Sequence, residues 1–373
     1  GEATTSDRRA LAELCRLSDG LPLALELVAG RVGVRTPAEV VVNLQDRVDL
    51  LAAEHPSADG RQRSLQAVLE ATVEPLDPRH RRMLGDLSVF AGSFPAATAL
   101  AVAEDDPVAF QALVDAGLVL VAEPGVVDGE RRYRMLDTTR AFASGLGQDD
   151  AGATAARRHA HHYREMAVEL GWAMDTPHEG PALERIREDD RDLRAALDWW
   201  IAHEPAGALA FARAVGRAWY VWGDLAKLRD LLDQALVGAT VGDLVTEEDL
   251  GWAHLRRSWP RFLTGDVVGG FADADAAIDR LTGVDEPVGA AFAFMGRAHM
   301  TLLSTADTQE AFEWYRRAIG EPRRSERPHL TAGTLVEAAL ALILAERADA
   351  EVDEMLAEAE AAFVSAGDDI GLA

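Results

Sequence analysis

The chain has a single cysteine, a single lysine, few aromatic residues and no long apolar run. Cys15 alone excludes an internal disulfide framework and any zinc site built from cysteines. Its place after Leu11 and Leu14 in a helical pattern predicts a buried, unreactive thiol. The one lysine, Lys227 in WGDLAKLRD, follows no glycine-rich turn, so the sequence carries no Walker A phosphate loop. No apolar stretch approaches the ~20 residues of a membrane span, and the first residues, GEATTSDRRA, hold no hydrophobic signal region; a cytoplasmic protein is expected. Positive charge is also scarce. With 37 Lys and Arg against 63 Asp and Glu, the formal charge is −26, which opposes approach to a polyanion unless basic residues gather on one face.

What is abundant is helix-forming apolar sequence. At 373 residues and 48% hydrophobic content, two to three domains of about 150 residues can each bury a core. In SDRRALAELCRLSDG the residues Ala10, Leu11, Leu14 and Leu17 form a helical stripe, and Gly20 ends it. Pro22 then suits the first turn of a second helix, to about residue 32, where a missing N–H costs nothing. A third helix opens at Thr36, with Pro37 at its first position and Glu39 placed to close a capping box. These make a small helical subdomain over 1–58. Polar residues 54–62 separate it from a helix ending near the Leu76-Asp77-Pro78 turn, and from another with Met83, Leu84, Leu87 and Phe90 on one face. Two short helices (95–103 and 107–116), the strand LVLVAE (118–123), a Gly-rich tip and the strand RRYRMLD (131–137) follow. Helices capped by a β-hairpin predict a winged helix over 59–145, left by the helix TTRAFASGL. Residues 144–155 read as a linker.

From 150 to 373 nearly every segment is helical, and a repeat emerges. Asp224, Asp266, Asp307 and Asp349 are spaced 42, 41 and 42 residues apart, and Ala235, Ala277 and Ala318 stand eleven beyond the first three. This period predicts stacked helical hairpins, with the aspartate as N-cap of each second helix and the alanine allowing close approach. Since about 41 residues exceeds the 34 of a tetratricopeptide repeat (TPR), the expectation is a TPR-like solenoid with longer helices. The fold class is therefore mainly α: helical subdomain, winged helix with a short β-hairpin, then α-solenoid.

Four passages in order, CRLSDGLPLALELVAGRV, RQRSLQAVLEATVEPLDPRHRRMLGDLSVFAGSF, YRMLDTTRAFA and LERIREDDRDLRAALDWWIAHE, resemble the STAND (NB-ARC) signal-transduction NTPases. In particular they resemble actinobacterial regulators such as the Streptomyces antibiotic regulatory proteins and large LuxR-type activators. The likeness covers residues 6 to about 204. It implies that residues 1–58 are the lid behind a nucleotide site, with Gly20 and Pro22 as its GxP motif on the adenine side. It implies an NTPase core and an effector domain elsewhere in a parent protein, which would bind ATP or ADP with magnesium and could oligomerise on activation. It also makes the solenoid a sensor for a protein or small-molecule inducer. In many relatives a Met-His-Asp triplet touches the phosphates; here Met135-Leu136-Asp137 stands in its place, and Leu136 cannot donate a hydrogen bond. This chain alone is expected to hold no cofactor and to catalyse nothing.

Two other readings compete. A protein-binding TPR scaffold without nucleotide control needs only the solenoid. A DNA-binding winged helix would use PVAFQALVDA as recognition helix, which offers Gln111 and Asp115 but no basic residue; Arg131, Arg132 and Arg134, with Arg79, Arg81 and Arg82, are the local cations. Direct nucleic-acid or membrane partners are not expected. His159, His161 and His162 invite a metal reading, but only His159 and His162 share a helix face and no carboxylate completes the site. Among the aromatic residues around the first repeat (Trp199, Trp200, Trp219, Tyr220, Trp222), most are expected in the core, with Trp219 and Trp222 as candidate partner-binding residues.

Overall fold

A computed structural model describes residues 5–18, 25, 27–29, 32, 36–54, 60–103, 105–127, 129–147, 150–174, 176, 178–237, 239–242, 245–305, 307–324, 328–344, 346 and 350–366. They fall into two compact units, residues 1–162 and 163–373.

In the first unit, α1 (Thr5–Leu17) packs on α2 (Pro37–Glu54), and α2 on α3 (Gly60–Val73). The capping box at α2 forms as the sequence demands: the Thr36 N–H donates to Glu39 Oε2 at 3.0 Å, and the Glu39 N–H to Thr36 Oγ1 at 3.4 Å. Helix α1 buries Leu14 and Leu17, whereas Leu11 is 39% exposed. Cys15 is exposed, contrary to the sequence expectation, because one residue beyond Leu14 turns the side chain about 100° away from the buried face. The GxP residues Gly20 and Pro22 lie outside the described residues.

The same unit contains α4 (Pro78–Leu87), β1 (Ser93–Pro95), α5 (Ala96–Val102), α6 (Pro107–Asp115), β2 (Leu120–Val121) and β3 (Arg132–Arg134). The strands form an antiparallel sheet in the order β1-β3-β2, pairing Phe94 with Tyr133 and Val121 with Tyr133 on either side of β3. This is the helix–strand–helix–helix–hairpin order of a winged helix. Strand β1 was absent from the sequence reading, since three residues before a helix give no periodicity to detect. Met83, Leu84 and Leu87 of α4 pack in the core with Phe90, whose ring meets Phe94 at 4.2 Å and the edge of His159 at 5.1 Å. Asp77 and Asp106 cap α4 and α6 through the N–H groups of Arg79 and Ala109. Helix α7 (Asp137–Ser144) follows β3, and α8 (Asp150–Ala173) begins inside the stretch expected to be a linker. The alanines and threonine of DAGATAARR are compatible with helix, so only the residues before Asp150 act as a connection.

Among the described residues, the second unit contains the end of α8, then α9 (Glu179–His203), a 3₁₀ stretch (Pro205–Phe211) and four helical hairpins. The hairpins are α10 (Ala214–Trp222) with α11 (Leu225–Leu236), α12 (Glu247–Leu263) with α13 (Val267–Gly283), α14 (Pro287–Thr305) with α15 (Thr308–Arg324), and α16 (Pro328–Leu344) with α17 (Ala350–Ala366). In the first two hairpins a glycine with left-handed backbone, Gly223 (φ +85°) or Gly265 (φ +96°), stops the first helix. The next residue's N–H reaches back to a carbonyl five residues earlier: Asp224 to Trp219 at 2.9 Å and Asp266 to Arg261 at 3.0 Å. The aspartate then opens the second helix. Asp266 and Asp307 each accept from the backbone N–H three residues on, at 2.9 Å. Asp224 sits at the same position, but its carboxylate instead takes Arg194 Nη2 at 2.8 Å. Asp349 lies outside the described residues. Ala235, Ala277 and Ala318 are all fully buried, as the repeat requires.

One buried ionic network ties three helices together. Arg257 of α12 grips Asp273 of α13 with two hydrogen bonds, 2.8 and 2.6 Å, while His254 Nδ1 lies 2.7 Å from the same carboxylate. Arg257 and Arg261 also both donate to Asp233 of α11, at 2.9 and 2.8 Å. Burial alone would raise the pKa of Asp273, but hydrogen bonds from His254 and Arg257 hold it below its ordinary value. A depressed carboxylate contributes stability above its unfolded pKa, and that contribution is lost as pH falls through the folded value. Asp273→Asn, which leaves Arg257 partly unpaired, should cost about 3 kcal/mol in urea unfolding at pH 7. The difference from the parent should begin to shrink below about pH 4, where the unfolded chain's carboxylate takes up a proton, and vanish only below the lower pKa of the folded parent.

Candidate functional site

The first helices of all four hairpins line one cavity of about 720 Å³ in the second unit. The lining residues recur every three or four positions, which places them on one face of each helix. They are Arg217 and Tyr220 on α10; Leu255, Arg256, Ser258 and Trp259 on α12; Phe292, Met295, Gly296, His299, Leu302 and Leu303 on α14; and Glu337, Leu340, Ala341 and Leu344 on α16. Thr308 adds the first residue of α15. A volume of this size suits a drug-sized ligand, and a mainly apolar lining with a few polar groups is the usual form of such sites.

The polar groups are unequally committed. Arg217 Nη2 is 3.0 Å from Glu179, and the Arg256 guanidinium lies over the Trp252 ring, 5.0 Å from its centroid. His299 sits with its ring edge-on to Tyr315 at 5.4 Å and tilted against Trp259 at 6.1 Å. Burial pushes the His299 pKa down, against an upward pull from Glu337, so the imidazole is neutral at neutral pH. Burial likewise pushes up the Tyr220 and Tyr315 phenols, and the Glu337 charge adds to both shifts. Glu337 thus acts on Tyr220, His299 and Tyr315. Among the described residues it makes no hydrogen bond or ion pair. Around it Leu303, Leu340 and Leu344 are 65%, 54% and 76% exposed, which leaves an apolar rim in contact with solvent.

The two aromatic residues singled out from sequence lie elsewhere. Trp219 is fully enclosed, its Nε1–H donating to Asp190 at 3.3 Å and its ring covered by Arg194 at 4.3 Å. Trp222 is half-buried beneath Arg187, at 5.2 Å. Neither lines the cavity; Tyr220, between them, does. Sequence reasoning missed Trp259, Phe292, His299 and Glu337. A signal for part of this face existed, since Ser258, His299 and Ala341 each stand eight residues before a repeat aspartate.

In the winged helix, the equivalent of a recognition helix is α6. There Gln111 Nε2 donates to Asp115 Oδ1 at 2.8 Å, so the two polar side chains offered for base contact satisfy each other. Arg132 is buried and donates through Nε to Ser93 Oγ at 2.9 Å, which removes it from the exposed cations. Among the described residues no group of histidine, cysteine and carboxylates is placed to hold a metal ion, and no helix is long and apolar enough to cross a membrane.

Replacing the two tryptophans separates their roles. Trp219→Ala should cost about 3–5 kcal/mol in chemical unfolding, as for other buried aromatic truncations, whereas Trp222→Ala should cost about 1 kcal/mol and leave the fold intact.

No family model matches the sequence. Over 194 residues the chain is 32% identical to a protein of Mycobacterium tuberculosis (strain H37Rv) named "Putative HTH-type transcriptional regulator", a match that covers 51% of this chain and 22% of that one. An uncharacterised protein of the same strain is 33% identical over 161 residues, 40% of each chain. The chain therefore spans less than half the length of these relatives. Among solved structures, a STAND protein with a tetratricopeptide repeat sensor from Pyrococcus horikoshii aligns over 87% of this chain and 60% of its own, with 11% identity and a TM-score of 0.35.

Proposed function

We propose that this chain is the sensing and relaying portion of a STAND-type transcriptional regulator, with an inducer bound in the cavity of the repeat unit. The observation that carries the reading is the cavity's construction: four successive hairpins each contribute one face of their first helix, so a ligand touches the whole array at once. Sequence similarity to a mycobacterial regulator supports a role in transcriptional control, and the ordered passages from CRLSDGLPLAL to LDWWIAHE support the STAND assignment.

In this reading residues 1–58 form the lid, 59–145 the winged helix and 150–373 the sensor. The lid and winged helix relay ligand binding to an NTPase core encoded elsewhere in the parent, which takes ATP or ADP with magnesium and assembles on activation. Such coupling requires a ligand that prefers one of two domain arrangements. Gly20 and Pro22 would face the adenine only when that core is present. The present sequence supplies neither the phosphate loop nor, with Leu136 in the triplet, a side-chain donor for phosphate. Titration calorimetry with ATP or ADP on this chain should therefore show no micromolar binding; a clear micromolar isotherm overturns the division of labour.

The winged helix acts structurally in this proposal, since α6 offers no cation and Arg132 is internal. In a mobility-shift assay at low salt, where phosphate contacts are strongest, the chain should leave duplex DNA unshifted. A salt-sensitive shift would favour the DNA-binding reading instead.

A further inference from the structure

We propose that the cavity of the repeat unit selects a lipophilic organic cation, a molecule with an apolar body and a positive charge that comes to rest against Glu337. This rests on the reading of the cavity as the inducer site and names the chemistry of its ligand. Three charged side chains line the space, and they differ in what they already hold. Arg217 is paired with Glu179 at 3.0 Å, and Arg256 is laid over the Trp252 ring. Glu337 alone of the three has neither an ion pair nor a ring to lie on among the described residues, although its charge reaches the buried rings of His299 and Tyr315. With His299 neutral, no protonated imidazole competes for that carboxylate.

The rest of the lining suits the body of such a molecule. Trp259, Tyr220 and Phe292 supply aromatic surface, which attracts cations as well as apolar groups. Met295 supplies a polarizable, adaptable contact. Leu340 and Leu344, on the same helix as Glu337, continue the apolar surface to solvent. A ligand entering there passes from hydrocarbon to carboxylate along one helix face. The net charge of −26 adds long-range attraction for a cation. An anion would meet Arg217 already paired with Glu179 and Arg256 already laid over Trp252, and would contend with Glu337.

The test uses two ions of nearly the same shape and opposite charge, tetraphenylphosphonium and tetraphenylborate, in titration calorimetry with the full chain. Tetraphenylphosphonium should bind at micromolar concentration and tetraphenylborate at least tenfold more weakly. Glu337→Gln should weaken the phosphonium about tenfold, Glu337→Asp should retain most of the affinity, and Glu354→Gln, on an exposed face of α17, should change nothing. Circular dichroism and thermal unfolding would show each variant folded as the parent is. Preference for the borate, or phosphonium binding unaffected by Glu337→Gln, overturns the charge assignment and leaves the cavity as an inducer site. If neither ion binds, both the cavity reading and the cation proposal fall.

Discussion

The constraint on which the repeat unit depends is that a helical hairpin has more apolar surface than its own two helices can hide. Each hairpin must borrow a neighbour to cover the remainder. The close contact this demands is made possible by small residues at the crossings. Ala235, Ala277 and Ala318 are fully buried, and Gly251 passes so near Leu281 that an added Cβ would lie 2.6 Å from its Cγ. The same limit operates at the entry to the repeats. A Cβ on Gly207 would lie 2.3 Å from the Trp200 ring, so the 3₁₀ stretch reaches that indole only because the residue is glycine.

Close packing of this kind leaves little room for charge, yet Asp273 is buried between α12 and α13. It is tolerated because its oxygens are met by Arg257 and His254, and because Arg257 and Arg261 also meet Asp233 on the neighbouring hairpin. A carboxylate so enclosed does little for stability compared with a hydrophobic pair of the same volume. It does fix which groups must face one another, and so sets the rotation of α13 against α12.

Much of this architecture was legible in the sequence where a local rule leaves a residue signature. Asp266 and Asp307 mark N-caps at two hairpin turns, Thr36 and Glu39 mark a capping box, and Asp77-Pro78 opens α4; each is a short-range hydrogen bond or a fixed φ that a few residues determine. Cys15 departs from the sequence expectation because a helix face is narrow and the neighbour of a buried leucine points outward. Strand β1 leaves no signal in the sequence because its pairing partner β3 lies some forty residues on, and the start of α8 reads as a linker because its small residues suit helix and loop alike. The cavity was the least legible feature. Its residues, from Gly296 and Ser258 to Glu337, share no chemical type, and only the stacking of four helices brings them to one place.

That stacking has a consequence for how the array behaves as a mechanical object. In a chain of hairpins where each touches only its neighbours, a disturbance at one end decays along the row, and separate hairpins can loosen independently. A molecule seated between α10, α12, α14 and α16 would touch at once hairpins that are not neighbours in the row, the first and the fourth among them. It would convert a row of near-neighbour joints into a single braced body, and the stiffness of the whole row would then depend on one small occupant.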